Sequence, residues 1–380
     1  MRKVAVFFGG KSCENEISVL TGVFVLNLLD REKFLPIPVY VHTDGGMYTS
    51  KNMRNLRVFK EKDFSSFERV FFDDGTMYAL NTSKKKIKRI AKIEIALNCC
   101  HGGLGEGGGV SALMEWNGIP LASPDLTSSG VFMDKSMTKT FLRALKIPTV
   151  DYIRVNEQDY KKRGAFLIRS IESRLKYPVV VKPAHLGSSI GISIAENETE
   201  AKIAIENAFA LDNRVIIEKY LKNKRDVNCA AYMRGGEIFV SEPEEAFGDG
   251  FYSFEEKYVK RTSDRAEGEN LLSGACKSGE RELVCGELRD KIRAYTKTVY
   301  KRMNLYGVVR MDFLVCEGKT YLCEVNTVPG SLAYYLFCER ISDARTFFTD
   351  LLEDAKERAK EEQKTVLSTG ILRTVSWNRK

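Results

Sequence analysis

Apolar and β-branched runs, separated by glycines and polar turns, recur along the chain and predict strands in three groups. Near the amino terminus, residues 4–8 form a short apolar run that ends at Gly9-Gly10. A polar stretch follows, and then Ile17-Ser18-Val19-Leu20. Strand, glycine turn and helix start open a doubly wound α/β unit with a ligand crevice at the strand's carboxyl end. These glycines do not spell GxGxxG, so dinucleotide binding is not predicted. Residues 35–42 predict a second strand, and Asp74-Gly75 between two apolar runs predicts a hairpin turn. Residues 93–98 predict a buried strand running into Cys99, Cys100, His101 and GGLGEGGG. The six glycines there let a ligand or another stretch of chain approach the backbone. His101, at the strand end, either contacts a substrate or satisfies local backbone groups. Residues 111–117 predict a short helix. Residues 126–145 predict a longer one, with Met137, Phe141, Leu142 and Leu145 as its apolar stripe.

In the second group, residues 177–182 predict a strand leading into KPAHLGSSIGIS. Its lysine precedes the glycines, so the loop resembles a glycine-rich phosphate flap rather than a Walker A loop. Residues 199–211 predict a helix capped by Thr199, and residues 214–220 a strand ending at Glu218-Lys219-Tyr220. Residues 228–233 and 237–241 predict a hairpin around Gly235-Gly236. The long polar stretch 248–275 carries Phe251, Tyr252, Phe254 and Tyr258, and reads as a functional lid or as disordered chain. Residues 282–304 and 341–364 predict helices.

The third group is the stretch 308–330, VVRMDFLVCEGKTYLCEVNTVPG, two short strands with polar residues where a buried hairpin should be apolar. Side chains two apart on a strand share a face, so Arg310 goes with Asp312, and Glu324 with Asn326. A three-residue connection over 317–319 sets Asp312 opposite Glu324 and Arg310 opposite Asn326. A two-residue turn pairs Asp312 with Cys323 and sends the carboxylates to opposite faces. In the first register, two carboxylates that close need a cation. Oxygen-only ligands suit Mg²⁺ or Mn²⁺, with phosphate oxygens completing the shell. The other reading is a surface hairpin with solvated charges.

Composition adds bounds. At 380 residues, 43% hydrophobic and 29% charged, the chain has material for two or three domains. No apolar run spans a membrane, and the first residues run straight into a strand, without a signal peptide. Nine cysteines without zinc-type spacing predict reduced thiols and a cytoplasmic protein. The net charge of +8 comes partly from Lys84, Lys85, Lys86, Lys88, Arg89 and Lys92. That run lacks interleaved aromatics, so it predicts a solvated loop or helix face rather than a nucleic-acid site.

The segments FGGKSCENEIS, HGGLGEGG, MDKSMTK, VVKPAHLGSSIGIS, IIEKYL, FYSFEEKY, RMDF and EVNTVPG stand in an order that resembles the D-alanine–D-alanine ligases of the ATP-grasp superfamily. The resemblance covers nearly the whole chain. It implies an α/β, in part α+β, three-domain architecture: an N-terminal doubly wound unit over 1–120, a central unit over 121–212 and a catalytic unit over 213–380. It implies ATP and two Mg²⁺ or Mn²⁺ ions held by Asp312, Glu324 and Asn326. Lys135 and Lys182 match phosphate-contacting lysines, Ser189 the flap, Glu218, Lys219 and Leu221 the adenine segment, and Asp226 the ribose contact. Glu14, Ser188 and Tyr258 match a triad that holds the first D-alanine, and Lys257 a lid lysine that reaches the transferred phosphoryl group. Arg310 and the Gly330 amide match the groups around the reacting carbonyl. His101, Tyr335 and Leu336 fall at substrate positions. The implied reaction joins two D-alanines through an acyl phosphate, for cell-wall peptidoglycan, in a cytoplasmic homodimer that takes small amino acids and neither nucleic acid nor membrane.

Two departures stand out. Gly107 replaces a usually acidic residue, and SLAYYLF follows Gly330 where the family places a later serine-leucine pair. The second departure keeps open a ligase with a different second substrate, such as D-serine. A nucleotide-binding homologue without ligase activity is the remaining alternative.

Overall fold

The apolar run at the amino terminus becomes β1 (Arg2–Gly9), whose residues from Val4 to Phe8 are wholly excluded from solvent. It is buried because it lies inside a sheet, flanked in parallel by β2 (Phe34–Val41) and β7 (Ile95–Asn98). This computed structural model describes residues 1–81, 86–246 and 282–361. Four antiparallel strands extend the sheet beyond β2: β3 (Met47–Thr49), β4 (Glu68–Asp73), β5 (Thr76–Asn81) and β6 (Lys86–Lys92). The parallel, wound part is therefore three strands wide. Asp74 and Gly75, at φ 43 and 69, form the expected β4–β5 turn. The basic run is not a loop or helix face. Its described part is the edge strand β6, where exposed Lys86, Lys88 and Arg89 discourage further strand pairing. Lys84 and Lys85 lie outside the described residues.

Helix α1 (Asn15–Leu28) crosses from β1 to β2 and buries Val19, Val23, Phe24 and Leu26. Close packing demands glycine at position 22, where a Cβ would come within 2.3 Å of Phe8 Cγ. Short helices α2 (Leu56–Lys60) and α3 (Val110–Trp116) follow. The predicted helix over 126–145 is two, α4 (Leu126–Met133) and α5 (Lys135–Ala144), broken at Asp134, whose carboxylate caps α5. The buried face of α5 also differs from the expected apolar stripe. Met137 is exposed, whereas Lys135, Thr138 and Lys139 are buried with Leu142. Carboxylates from other elements, described below, make that possible.

The second sheet is antiparallel, in the order β10 (Ser193–Ala195), β9 (Val179–Pro183), β11 (Arg214–Lys219), β8 (Tyr152–Asn156). It packs under α6 (Glu157–Arg174) and α7 (Glu198–Phe209), with Ile168, Ile171, Ala201 and Ile205 against Val179, Val181, Val215 and Ile217. The sequence reading has no counterpart to α6, a polar, strongly charged helix that buries only Ile168 and Ile171. Asn197, not Thr199, caps α7 by accepting the Glu200 N–H. Strand β11 pairs with β8 and β9, so it belongs to this sheet although the third unit is expected from residue 213.

The third sheet runs β13 (Glu237–Val240), β12 (Arg225–Arg234), β15 (Val309–Cys316), β16 (Lys319–Asn326), with β14 (Glu244–Glu245) also on β12. One face packs on α8 (Gly286–Arg302) through Val227, Met311, Phe313, Ile292 and Val299. Residues of its other face join a core shared with β1, α1, the segment after Gly330 and α9 (Ala344–Glu361). The first and third units are thus built around common apolar contacts. Ser331, Leu332 and Ala333 form a left-handed turn at φ 51, 53 and 49, an uncommon state costing roughly 1–2 kcal/mol per residue. Burial of Leu332 and Ala333 in the shared core offsets that cost.

In the β15–β16 hairpin Asp312 faces Glu324 and Arg310 faces Asn326, but not by way of a three-residue connection. Cys316 pairs with Lys319, leaving Glu317 and Gly318 as a two-residue turn with φ of 49 and 71. Two positive φ values are the mark of a type I′ hairpin turn. That turn alone would set Asp312 against Cys323. A β-bulge on β16, where Cys323 is the extra residue between Leu322 (opposite Phe313) and Glu324 (opposite Asp312), restores the pairing.

No helix among the described residues is long and apolar enough to cross a membrane. The described cysteines, Cys13, Cys99, Cys100, Cys229, Cys285, Cys316, Cys323 and Cys338, are free thiols. The tight α1–β1 seam makes a direct prediction. Gly22→Ala should lower stability by about 1–3 kcal/mol, the usual cost of overpacking, read as a fall in the urea midpoint at unchanged slope. An unchanged midpoint would contradict the packing described for Phe8.

Candidate active site

The β15–β16 rung carries the two carboxylates. Asp312 and Glu324 side chains are 28% and 29% exposed, so both are accessible from solvent rather than sealed in the core. Arg310 forks onto Asp312, Nε to Oδ1 at 2.8 Å and Nη2 to Oδ2 at 2.9 Å. Asn326 donates its amide to Asp312 Oδ2 at 3.0 Å. Across the rung, Lys135 Nζ stands 3.5 Å from Glu324 Oε1. Among the described residues no three His, Cys, Asp or Glu converge as a ready-made cage. Two carboxylates and an amide oxygen are the donor set of a hard cation that shares its shell with phosphate oxygens, and they fit Mg²⁺ or Mn²⁺.

Behind this rung lies a buried charge cluster. Glu218, at the end of β11, accepts from Lys182 Nζ at 2.8 Å and pairs with Lys139 Nζ at 3.0 Å. Burial would raise the Glu218 carboxyl, but Lys139 and Lys182 together hold it down to about 2. Lys182 is likewise desolvated, yet neighbouring charges, Glu218 among them, keep its ammonium above the ordinary lysine value. The bulged Cys323 is the link between the two groups, with its Sγ 3.9 Å from Lys182 Nζ. One carboxylate against two lysines leaves an excess of positive charge, which suits an anionic ligand.

Lys135 ties the Asp312–Glu324 rung to the 183–191 loop by donating Nζ to Leu186 O at 2.6 Å. Further along the loop Ser188 and Ser189 both take positive φ, 51 and 60, and Ser188 Oγ donates to Glu14 Oε1. Glu14 is hemmed in by backbone. A Cβ at Gly187 would lie 2.9 Å from its Oε2, and one at Gly102 2.6 Å away. These two glycines let the flap and the 101–109 stretch close on the carboxylate from both sides.

Glu106 receives the Gly102 N–H at 2.7 Å and the Val328 N–H at 3.3 Å, joining the first unit to the end of β16. Loss of solvent pushes its carboxyl up to about 7. His101 is buried with both ring nitrogens engaged. Nδ1 lies 2.7 Å from Val328 O, and a carbonyl only accepts, so Nδ1 carries the proton. Nε2 lies 2.8 Å from Thr21 Oγ1, which in turn accepts the Ser331 N–H at 3.2 Å. Burial lowers His101 to about 4, so the ring is neutral near pH 7.

Tyr335 accepts from Arg310 Nη1 at 3.2 Å, which brings it beside the same rung. Leu336 instead lies in the shared core. A Cβ on Gly330 would meet none of the described residues within 4 Å, so space alone does not demand glycine there. Lys219, exposed at the end of β11, donates its backbone N–H to Asp151 O at 3.0 Å. Leu221 packs with Val150, Leu314 and Cys323. Asp226 stands on β12 opposite Leu314, paired with Lys224. Lys257 and Tyr258 lie outside the described residues, as does the rest of 248–275.

Sequence reasoning missed Lys139 and Glu106. Lys139 sits four residues after Lys135, on the same helical face, and that spacing was its signal. Glu106 directly precedes Gly107, the position that the sequence reading marks as a departure from the family pattern.

Comparison with known proteins gives the same answer along the whole chain. The family model for the D-ala D-ala ligase N-terminus matches residues 3–124, and that for the C-terminus matches residues 141–355. A D-alanine–D-alanine ligase of Thermosipho melanesiensis is 33% identical over 98% of this chain and 99% of its own. Among solved structures, the Coxiella burnetii D-alanine–D-alanine ligase superposes with a TM-score of 0.75 at 22% identity, covering 98% of this chain and 99% of that one. A Bacillus anthracis D-alanine–D-alanine ligase complexed with ATP gives a TM-score of 0.62 at 22% identity, covering 96% and 100%. The two structures agree in fold, and the family models and the close relative agree in sequence: the chain belongs to the D-ala D-ala ligase family.

Proposed function

We propose that this chain is an ATP-dependent ligase that joins two D-alanines into D-alanyl-D-alanine for peptidoglycan precursors. One observation carries the reading: Lys135 Nζ stands between Glu324 of the acidic hairpin and Leu186 O of the glycine-rich loop. A cation site, a phosphate-neutralising lysine and a flap are thereby held in one contact chain. Phosphoryl transfer depends mainly on positioning and charge neutralisation, and these residue types suit it.

In this reading the γ-phosphoryl group of ATP moves to the first D-alanine carboxylate, giving an acyl phosphate and ADP. The neutral amine of the second D-alanine attacks the acyl carbon and gives up a proton as the peptide bond forms, and phosphate leaves with the bonding electrons and carries that proton away. Lys135 and Lys182 take the nucleotide phosphates, Ser189 and the loop backbone cover them, and Glu218, Lys219 and Leu221 border the base, with Asp226 at the ribose. Glu14, oriented by Ser188, takes the first substrate's ammonium, with Tyr258 as the third member of that group and Lys257 at the transferred phosphoryl. Arg310 and the Gly330 N–H stabilise the oxyanion of the tetrahedral intermediate. Asp312, Glu324 and Asn326 would hold two Mg²⁺ or Mn²⁺ ions, which neutralise charge on the transferring group when bound. His101 and Leu336 support the substrate pocket from behind, and Tyr335 borders the second substrate. We further propose three domains, with the second boundary after β11, a cytoplasmic homodimer as in the family, and no nucleic-acid or membrane partner.

The test is phosphate release with ATP, Mg²⁺ and a panel of D-amino acids, with the dipeptide identified by mass. Turnover with D-alanine alone is expected. Turnover only with a mixed pair, such as D-alanine and D-serine, would replace the second substrate, and none with any pair would refute the ligase. Glu218→Gln should strand Lys139 and Lys182 without a buried counter-charge and lower stability by roughly 3–5 kcal/mol in urea unfolding. Because Glu218 is depressed, its contribution is present above the ordinary carboxyl pKa and is lost as pH falls toward about 2. An unchanged midpoint in Glu218→Gln would contradict this account of the cluster.

A further inference from the structure

A charged cluster at the foot of the 183–191 loop takes no part in the chemistry above. His185 donates its backbone N–H to Asp212 Oδ2 at 2.8 Å, and its ring Nδ1 lies 3.0 Å from both Asp212 oxygens. Nε2 lies 3.4 Å from Asp134 Oδ2. Carboxylate oxygens only accept, so a ring with a carboxylate at each nitrogen is an imidazolium. Both carboxylates are nearly dry, with side chains 5% and 7% exposed.

The same two carboxylates hold other elements. Asp134 caps α5, accepting the Ser136 and Met137 N–H groups, and takes Arg214 Nη1 at 2.6 Å. Asp212 also accepts the Arg214 N–H at 3.2 Å. The charged groups that face the ring are therefore Asp134 from the α4–α5 junction, Asp212 from the turn after α7, and Arg214 from β11. Two negative and two positive charges balance only while His185 is protonated. The residue next to Asp134 is Lys135, whose Nζ grips Leu186 O, and whose backbone N–H donates to Ala184 O at 3.1 Å. Whatever holds His185 thus holds the loop on either side of it.

We propose that His185 is a positioning residue, whose imidazolium clamps the foot of the 183–191 loop between Asp134 and Asp212 and so sets where the loop stands over the nucleotide phosphates. This rests on the reading of that loop as a phosphate flap. Without the proton, a neutral ring presents a lone pair to one of two dry carboxylates, and the cluster carries a net negative charge at the edge of an anion site. Asp134 and Asp212 hold the imidazole up to about 9. The folded value is raised, so the clamp is complete below the ordinary histidine value and opens as pH rises through about 9.

The test is calorimetric binding of a non-hydrolysable ATP analogue with Mg²⁺ to the full chain, from about pH 7.5 to about pH 9.5, across the raised histidine value. Wild-type affinity should fall about threefold over that range, because the neutral ring should bind about tenfold more weakly, the scale of one hydrogen bond to a charged group, and roughly a quarter of the rings are still protonated at the upper pH. His185→Asn should already be about tenfold weaker at the lower pH, with a flat profile. His185→Arg, charged throughout and able to fork onto two carboxylates, should recover wild-type affinity and lose the pH dependence. The chain has only three histidines, so ring NMR of the wild type can follow His185 directly. An affinity loss that tracks its titration supports the clamp even if a variant fails to fold. A flat wild-type profile, or His185→Asn binding like wild type, overturns the clamp and leaves the flap reading intact. No nucleotide binding by the wild type overturns both.

Discussion

Asp312 and Glu324 face each other on one rung of β15–β16, and the cost of two carboxylates so close organises the charges around them. Arg310 forks onto one, Lys135 approaches the other, and Asn326 fills the gap with an amide. Each partner extends the constraint outward. Lys135 reaches the loop at Leu186, the loop reaches Glu14 through Ser188, and Arg310 reaches Tyr335. The α5 helix can bury lysines because Glu218 and Glu324 come to meet them from other elements. Isolated buried ammonium groups would be prohibitive. The same arrangement leaves spare positive charge beside the rung, which is what an incoming polyphosphate requires.

Much of this was legible in the sequence, for identifiable reasons. The continuous apolar runs at 4–8 and 179–181 and the partly alternating run at 309–316 lie in sheets with at least one covered face, so apolar patterning marks them. Asp312, Glu324 and Asn326 announce themselves as polar residues inside such a pattern. The route to their pairing was not legible. A three-residue turn, and a two-residue turn followed by a bulge, produce the same rung, and nothing in 317–323 distinguishes them. Helix α6 escaped because its charged surface hides an apolar face of two residues. Lys139 escaped because a lysine inside a helix is ordinarily solvated, and only the distant Glu218 reveals that this one is buried. His185 depends on Asp134 and Asp212, 51 and 27 positions away, a closeness that only the fold creates.

The segment after Gly330, which the sequence reading marks as a departure from the family pattern, has an unusual structure. Three consecutive left-handed residues turn the chain so that Leu332 and Ala333 enter the shared core, while Tyr335 reaches Arg310. Backbone strain of this kind persists only where surrounding contacts determine it. Here they are the apolar core and the Ser331–Thr21–His101–Val328 hydrogen-bond chain, which joins the first unit to the end of β16. A neutral, buried His101 suits that role, since a charge there would be unpaired.

The central claim, that the Asp312–Glu324 rung holds a divalent cation together with nucleotide, is most directly tested by electron paramagnetic resonance of Mn²⁺ added to the full chain with ADP. The account predicts protein-bound Mn²⁺ in the wild type when nucleotide is present. It predicts loss of that signal in Asp312→Asn/Glu324→Gln, with folding verified by circular dichroism. Equal Mn²⁺ binding by the folded double variant and the wild type would contradict it.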